Sequence, residues 1–226
     1  MFFHPMDILI FAAFGLALWA QAKVKSNFNK WSKVQASSGL TGMEVARRIL
    51  DHHGLHHVPV EPVRGTLSDH YDPTKKAVRL SEPVYAGHSI AAISVAAHEV
   101  GHAVQHKEAY GALTLRHKMF PVVSLSSGVA PFLLIGGFLL GSMNLIGLGI
   151  IFFSAAVAFQ LITLPVEFNA SNRAKDFMIA EGIIRNEEER GVNKVLGAAA
   201  LTYVAAALIS LLELLKFVLI FTQNRE

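Results

Sequence analysis

The chain has 226 residues, of which 52% are hydrophobic and 16% are charged, and its formal net charge is +3. Soluble domains contain about 25% charged residues. The composition therefore excludes a disordered chain and indicates a membrane protein. The sequence has no cysteine, which excludes a disulfide-stapled module and restricts any zinc site to histidine and carboxylate ligands.

Four apolar segments are long enough, with their flanks, to reach across a membrane. Residues 119–166 contain no Asp, Glu, Lys or Arg over 48 positions. Because one span takes about 20 apolar residues, this run predicts two spans joined by a turn at 141–144. Residues 8–22, with the apolar residues 1–3 ahead of them, predict a first span that is tilted or interfacial, and residues 195–221 predict the fourth.

The basic residues indicate how these spans are oriented. Of the 20 Lys and Arg residues, 13 lie in residues 23–118 and 5 lie in residues 173–194. By the positive-inside rule, both regions face the cytoplasm and both termini lie outside. A signal-peptidase site at residues 20–22 is the rival interpretation. Because residues 1–7 carry no Lys or Arg, we expect the first segment to be retained.

The stretch between the first two spans carries signals for local structure. A capping box that opens at Thr41 predicts a helix, and Gly54 is a typical residue for its C-terminal end. Residues 66–71 and 77–81 are strand-like and flank a turn that contains proline. This pattern predicts a β-hairpin.

A buried helix of small apolar residues is predicted to begin at Ser89, and it continues into the sequence His-Glu-Val-Gly-His at residues 98–102. Residues at i and i+4 lie on one helical face, so His98 and His102 can bind one Zn²⁺. Glu99, next to the first ligand, can take the proton of a metal-bound water. A helix that buried these side chains without a metal would carry a large desolvation cost.

A catalytic zinc needs a third protein ligand and an open fourth position. His106 lies two turns beyond His98, about 12 Å along the axis, which is too far to join the same ion. His117, just ahead of the second span, is one candidate. Glu167 is the better candidate, because it is the first charge after the third span and faces the same side as the His98 helix.

Three segments of the chain resemble the YugP-type membrane zinc metallopeptidases of bacteria. They are LSDHYDP at 67–73, HEVGH at 98–102 and EFNAS at 167–171. The similarity covers nearly the whole chain, and more distantly the chain is similar to the HtpX heat-shock protease and the C-a-a-X prenyl proteases, which have a gluzincin-like core. The resemblance implies a zinc metalloendopeptidase of the bacterial plasma membrane.

The same resemblance assigns roles to individual residues. It implies that Glu167 is the third zinc ligand and that the strand at 66–71 is an edge strand that pairs with extended substrate. The chain departs from the distant relatives at Ser171, where they have an aspartate that could orient a histidine ligand.

Other polar residues have less specific interpretations. His70, Tyr71 and Arg173 are predicted to contact substrate, with ordinary strand or solvated surface roles as the alternative. Four further histidines are clustered around Gly54: His52, His53, His56 and His57. Because that glycine interrupts the helix, we interpret this cluster as a solvated surface feature.

The predicted fold is mainly α, a four-span membrane helix bundle with a small α+β zincin-like metallopeptidase domain made of a short β-hairpin and the H-E-x-x-H helix. The predicted parts are an N-terminal anchor at 1–22, the catalytic domain at 23–118, a transmembrane hairpin at 119–166, membrane-exit helices with the third zinc ligand at 167–194, and a C-terminal transmembrane helix at 195–222.

The leading functional hypothesis is a membrane-embedded, cytosol-facing zinc endopeptidase that uses Glu99 as general base and acid. Its partners would be a peptide or membrane-protein substrate and the lipid bilayer, with no nucleic acid, since the positive charge follows the topology. Cleavage inside the bilayer is disfavoured because only residues 89–97 form an apolar run before His98.

Two readings without proteolysis stay open. A zinc transporter or sensor is the alternative, although residues 119–166 contain no histidine or carboxylate for a site among spanning helices. A structural site in a scaffold would instead hold its zinc with four protein ligands.

Overall fold

The computed structural model describes residues 4–223 and shows a mainly α fold with one small β-sheet, as predicted. Residues 1–3, ahead of the first predicted span, lie outside the described residues. The elements in chain order are α1 (Met6–Trp31), α2 (Gly42–His52), β1 (Val60–Val63), β2 (His70–Asp72), β3 (Ala77–Ser81), α3 (Glu82–Tyr85), α4 (Ile90–Lys107), α5 (Gly111–Leu140), α6 (Met143–Ala180) and α7 (Glu189–Gln223).

Four helices, α1, α5, α6 and α7, are long and apolar enough to cross a membrane, and they correspond to the four predicted spans. One compact unit of the chain combines residues 112–165 with the described residues before Ala20 and after Leu201. Its large apolar side chains are exposed, with Phe132 at 77% and Leu139 at 80%. Helices that are apolar on all sides are typical of membrane spans. The predicted domain boundaries stay a prediction.

The second compact unit, formed by residues 20–111 and 166–201, contains the sheet and the short helices. Its core includes one face of α2, where Val45, Ile49 and Leu50 are fully buried. The predicted capping box is present, since Thr41 Oγ1 accepts from the Glu44 backbone N–H at 3.1 Å and the glutamate carboxylate accepts from the Thr41 N–H at 2.8 Å. Both bonds satisfy amide groups that the first helical turn leaves without intrahelical partners.

The sheet has three strands in the order β1-β3-β2. β2 and β3 form the predicted antiparallel hairpin, and β1 pairs with β3 in parallel. The sequence analysis did not predict β1, which contains Pro62; proline is tolerated here because β1 lies at the edge of the sheet. The central strand is the buried one, with four of its five residues buried.

The prediction of a strand at 66–71 was wrong over its first four residues, because β2 begins only at His70. Leu67 has a φ of +57°, which is incompatible with an extended strand. The carboxylate of Asp69 accepts hydrogen bonds from the backbone N–H and the hydroxyl of Ser81, at 2.7 and 3.0 Å. This contact to the end of β3 holds residues 66–69 as a loop.

Helix α4 is buried over most of its length, as predicted from its small apolar residues. Ser89 caps its N-terminus by accepting a hydrogen bond from the Ala92 N–H at 3.1 Å. Alanine and glycine occupy many of its positions, so neighbouring backbones can approach it closely. Four of its polar residues are buried: Ser94, Glu99, His102 and Gln105.

Candidate metal centre

His98 and His102 lie one turn apart on the same face of α4, as their spacing predicts. Their ring centroids are 4.8 Å apart and the rings are nearly perpendicular, at 85°. Both side chains are largely buried, with exposed fractions of 13% and 11%. The two imidazoles can therefore present one nitrogen each to a single buried point.

Glu167 of α6 lies at that point. Its Oε2 is 3.4 Å from Nε2 of His98 and 3.6 Å from Nε2 of His102. One ligand atom from each of the three residues lies within 4.8 Å of the other two. Residues from two distant parts of the chain thus form one cluster of metal-binding atoms.

A close approach of two helices brings these residues together. A Cβ built at Gly101 would lie only 2.7 Å from the backbone oxygen of Ala170. Ala170 is fully buried and lies one turn after Glu167 on α6. Glycine within the His-Glu-Val-Gly-His sequence therefore lets α6 pack against α4 at the distance that Glu167 requires.

The second ring nitrogen of each histidine is held by a neighbouring side chain. Nδ1 of His102 lies 3.0 Å from Oε1 of Gln105, and Nδ1 of His98 lies 3.2 Å from Oγ of Ser171. The amide oxygen of Gln105 can only accept, so Nδ1 of His102 carries the proton and Nε2 keeps its lone pair. This is the tautomer in which a histidine binds a metal through Nε2.

Gln105 also links the two helices directly. It is fully buried, and its Nε2 donates to the carbonyl of Val166 at 2.8 Å and to Oδ1 of Asn169 at 2.9 Å. Because a carbonyl only accepts, this bond fixes the orientation of the amide. Asn169 Oδ1 accepts in addition from Nε of Arg173 at 2.8 Å, and the same guanidinium pairs with Glu108 at 2.6 Å.

The chemistry of the donor set fits zinc. Two imidazole nitrogens and one carboxylate oxygen are the ligands of catalytic zinc sites, which keep a fourth position open. Burial disfavours a charged imidazole at His102, yet the hydrogen bond to Glu167 and the negative charges of Glu99 and Glu167 outweigh it and raise the pKa of His102. The carboxylates thus favour positive charge at this point.

Glu99 is buried, with 8% of its surface exposed, and it follows His98 directly on α4. The negative charge of Glu99 is one of the causes that raise the pKa of His102. At about 100° per residue, Glu99 lies about 60° around α4 from His102 and about 100° from His98, beside the face that carries the histidines. A role of this carboxylate in proton transfer stays a prediction.

The residues predicted to contact substrate have identified partners. His70 and Tyr71 lie on β2, the edge strand opposite β1. Nδ1 of His70 lies 2.9 Å from the carbonyl of Ser68, and the hydroxyl of Tyr71 lies 2.9 Å from Nδ1 of His106. Burial, with the nearby Asp72 charge, raises the pKa of Tyr71 to about 12. Their substrate role, and that of Arg173, stays a prediction.

The sequence analysis missed Gln105 and the orienting role of Ser171. A glutamine three residues after His102, in a helix of otherwise small apolar residues, was the signal for the first. In the sequence, Ser171 stands out only as the absence of a carboxylate, whereas in the structure its hydroxyl contacts His98.

The chain belongs to the zinc peptidase family described as "putative neutral zinc metallopeptidase", whose family model matches residues 6–222. It is 74% identical over 218 residues to the "Putative membrane protease YugP" of Bacillus subtilis (strain 168), with 96% of this chain and 97% of that protein covered. No solved structure gives a significant match. Zinc is the cofactor that this family takes, and the relative together with the four apolar helices supports a membrane location.

Proposed function

We propose that the chain is a membrane-embedded zinc metalloendopeptidase in which His98, His102 and Glu167 hold the metal. The observation that carries this proposal is the convergence of two imidazole Nε2 atoms on Glu167 Oε2, at 3.4 and 3.6 Å. Family membership supports the same chemistry. Glu99 is buried and directly follows His98 on α4, and its carboxylate would supply the group that peptide hydrolysis needs and that simple zinc storage does not.

When bound, zinc would polarise the scissile carbonyl and acidify the attacking water. Glu99 accepts a proton from that water as it attacks the carbonyl carbon, and then gives the proton to the leaving amine. Gln105 and Ser171 keep Nε2 of each histidine aimed at the metal position. The burial of the three ligands limits access of bulk water, which strengthens each of these electrostatic interactions.

An extended peptide segment is the proposed substrate, bound along β2. This strand pairs with β3 on one side, and the sheet order leaves its other edge open among the described strands. Such an edge can pair with an added strand through backbone hydrogen bonds. His70 and Tyr71 lie on this strand and would contact the substrate. Arg173, whose Nε donates to Asn169, would contact the substrate as well.

We further propose that the parts predicted at 1–22, 119–166 and 195–222 anchor the enzyme, and that the catalytic residues face the cytosol. The one-sided distribution of Lys and Arg supports this orientation. The natural absence of cysteine allows a direct test with Lys75→Cys in the exposed turn before β3. A membrane-impermeant maleimide should label this cysteine only after the cells are opened. Labelling in intact spheroplasts would show that the catalytic residues face the outside instead.

The function is tested by measuring zinc content and hydrolysis of a quenched fluorescent peptide library on the same preparations. His102→Ala and Glu167→Gln should lose cleavage and the zinc ion held by this cluster, whereas Glu82→Gln, at an exposed residue that begins α3, should keep both. A wild-type protein that binds zinc and cleaves none of the peptides or co-purifying membrane proteins would indicate the alternative, a zinc transporter or sensor.

A further inference from the structure

A second group of metal-binding atoms lies apart from the catalytic residues in the chain. It consists of His52 and His53, at the C-terminal end of α2, and Glu181, which directly follows α6. One ring nitrogen of each histidine and one carboxylate oxygen lie within 4.8 Å of one another. The interpretation of these histidines as only a solvated cluster was therefore incomplete for His52 and His53.

The carboxylate of Glu181 is the unusual member of this group. Its side chain is only 6% exposed, and its Oε1 is buried without accepting a hydrogen bond. Burying a carboxylate oxygen that accepts no hydrogen bond has a large desolvation free energy unless a cation lies next to the oxygen. The group that faces it is Nδ1 of His52, at 3.3 Å. A metal ion between them would satisfy both the oxygen and the ring nitrogen.

Neighbouring residues hold His53 in a metal-binding form. Nδ1 of His53 lies 2.8 Å from the carbonyl of Ile49; it must donate to that oxygen, so Nε2 keeps its lone pair. The ring of Phe177 packs against His53, with centroids 4.2 Å apart. Hydrogen bonding of the distant nitrogen and packing of the ring are the usual supports of a histidine ligand.

Arg48 contacts the same glutamate without filling the position that the histidines face. Its Nε lies 3.4 Å from Oε2 of Glu181, and its Nη2 donates to the backbone carbonyl of Glu181 at 2.8 Å. The guanidinium thus contacts Oε2 of Glu181, whereas Oε1 of the same carboxylate faces His52. Its positive charge partly balances that of the carboxylate, and the proposed position of the ion does not depend on this contact.

We propose that His52, His53 and Glu181 form a second zinc site, accessible to solvent. Two imidazoles and a carboxylate favour Zn²⁺ over Mg²⁺ or Ca²⁺, which prefer oxygen ligands alone. Because the side chain of His52 is 68% exposed, water completes the coordination and zinc exchanges with the medium. The ion links the end of α2 to the end of α6, the helix that also carries Glu167.

The test is the zinc stoichiometry of the full chain in detergent, measured by equilibrium dialysis against buffered zinc and elemental analysis. Wild type should bind two zinc ions per chain, and His102→Ala should keep the ion at the second site. His52→Ala should bind one, since its second-site affinity falls by at least about tenfold. This variant is suited to the test because the side chain is exposed and its removal leaves the core of α2 intact.

Two further variants separate the site from an ordinary ion pair. His56→Ala removes an equally exposed histidine, bound to Asp51 and outside the group, and should keep both zinc ions. Arg48→Gln breaks the ion pair with Glu181 and should also keep both. A single zinc ion in wild type, or two in His52→Ala and in Glu181→Gln, would overturn the proposal. Co²⁺ absorption spectra of the His102→Ala protein give an independent readout of nitrogen ligation at the second site.

Discussion

Replacing Gly101 with alanine is expected to disturb the metal centre without removing any donor atom. The added Cβ would lie 2.7 Å from the oxygen of Ala170 and 3.2 Å from its Cα. The first contact is about 0.7 Å shorter than an ordinary van der Waals contact. Both atoms belong to the backbone, so relief requires α4 and α6 to move apart and to carry Glu167 with them.

The expected effect on zinc binding is larger than the effect on folding. Overpacking costs about 1–3 kcal/mol, and the higher helix propensity of alanine returns about 1 kcal/mol, so the free energy of unfolding falls by about 2 kcal/mol at most. A functional site tolerates displacements of only about 0.5 Å. We therefore expect zinc affinity to fall about 10- to 100-fold, as it does when support of a metal ligand is lost.

The assay is competition for zinc with a chelator of known affinity, followed by peptide hydrolysis at saturating zinc. It is carried out in the His52→Ala background, so that the second proposed site does not contribute. Gly197→Ala is the matched control, because a Cβ at this position in α7 meets no atom within 4 Å. If Gly101→Ala binds zinc as tightly as this control, the close approach of the helices does not set the position of Glu167.

Three other changes test the support of the metal centre. Gln105→Leu keeps the volume of the side chain but removes the acceptor for His102 and the donor to Val166. Zinc affinity should therefore fall about 10- to 100-fold in the chelator assay. Unchanged affinity would contradict the orienting role of Gln105. Ser171→Ala should weaken zinc binding by less than about tenfold, since it removes one hydroxyl contact to His98, and a larger loss would show that it does more than orient the ring. Removal of zinc should lower the melting temperature, because an ion present at about 100 times its dissociation constant stabilises the fold by about 2.7 kcal/mol. Calorimetry with and without chelator measures this shift. Equal melting temperatures would refute the prediction.

Features with local signals were predicted correctly from the sequence. The capping box at Thr41 depends on residues three positions apart, and the spans depend on long runs of apolar residues, so neither needs knowledge of the tertiary fold. The spacing of His98 and His102 places them on one helical face for the same reason. These features account for the confirmed fold class and for the two histidines of the candidate centre.

Features that depend on contacts between distant segments were predicted less well. The predicted strand start at residue 66 was wrong because Asp69 accepts hydrogen bonds from Ser81. This partner is twelve residues away, and local strand propensity does not account for it. Strand β1 was missed because Pro62 counts against a strand unless its edge position is known.

The surroundings of the histidines show the same limit. The amide of Gln105 is oriented by Val166 and Asn169, which pack beside it only in the folded chain. Glycine is required at position 101 only because Ala170 packs against it. The separation of these residues along the chain carries no information about such packing. The sequence identified the helix that bears the chemistry, and tertiary structure was needed to see how that helix is supported.

The most direct test of the central claim compares peptide hydrolysis per bound zinc in wild type and in Glu99→Gln. The substitution keeps the shape of the side chain and removes its capacity to accept a proton. The account predicts unchanged zinc content and a rate per bound zinc lower by about 10²- to 10⁴-fold, the contribution of a positioned acid–base group. A Glu99→Gln protein that binds zinc and cleaves peptide at the wild-type rate would contradict the proposed function of this buried carboxylate.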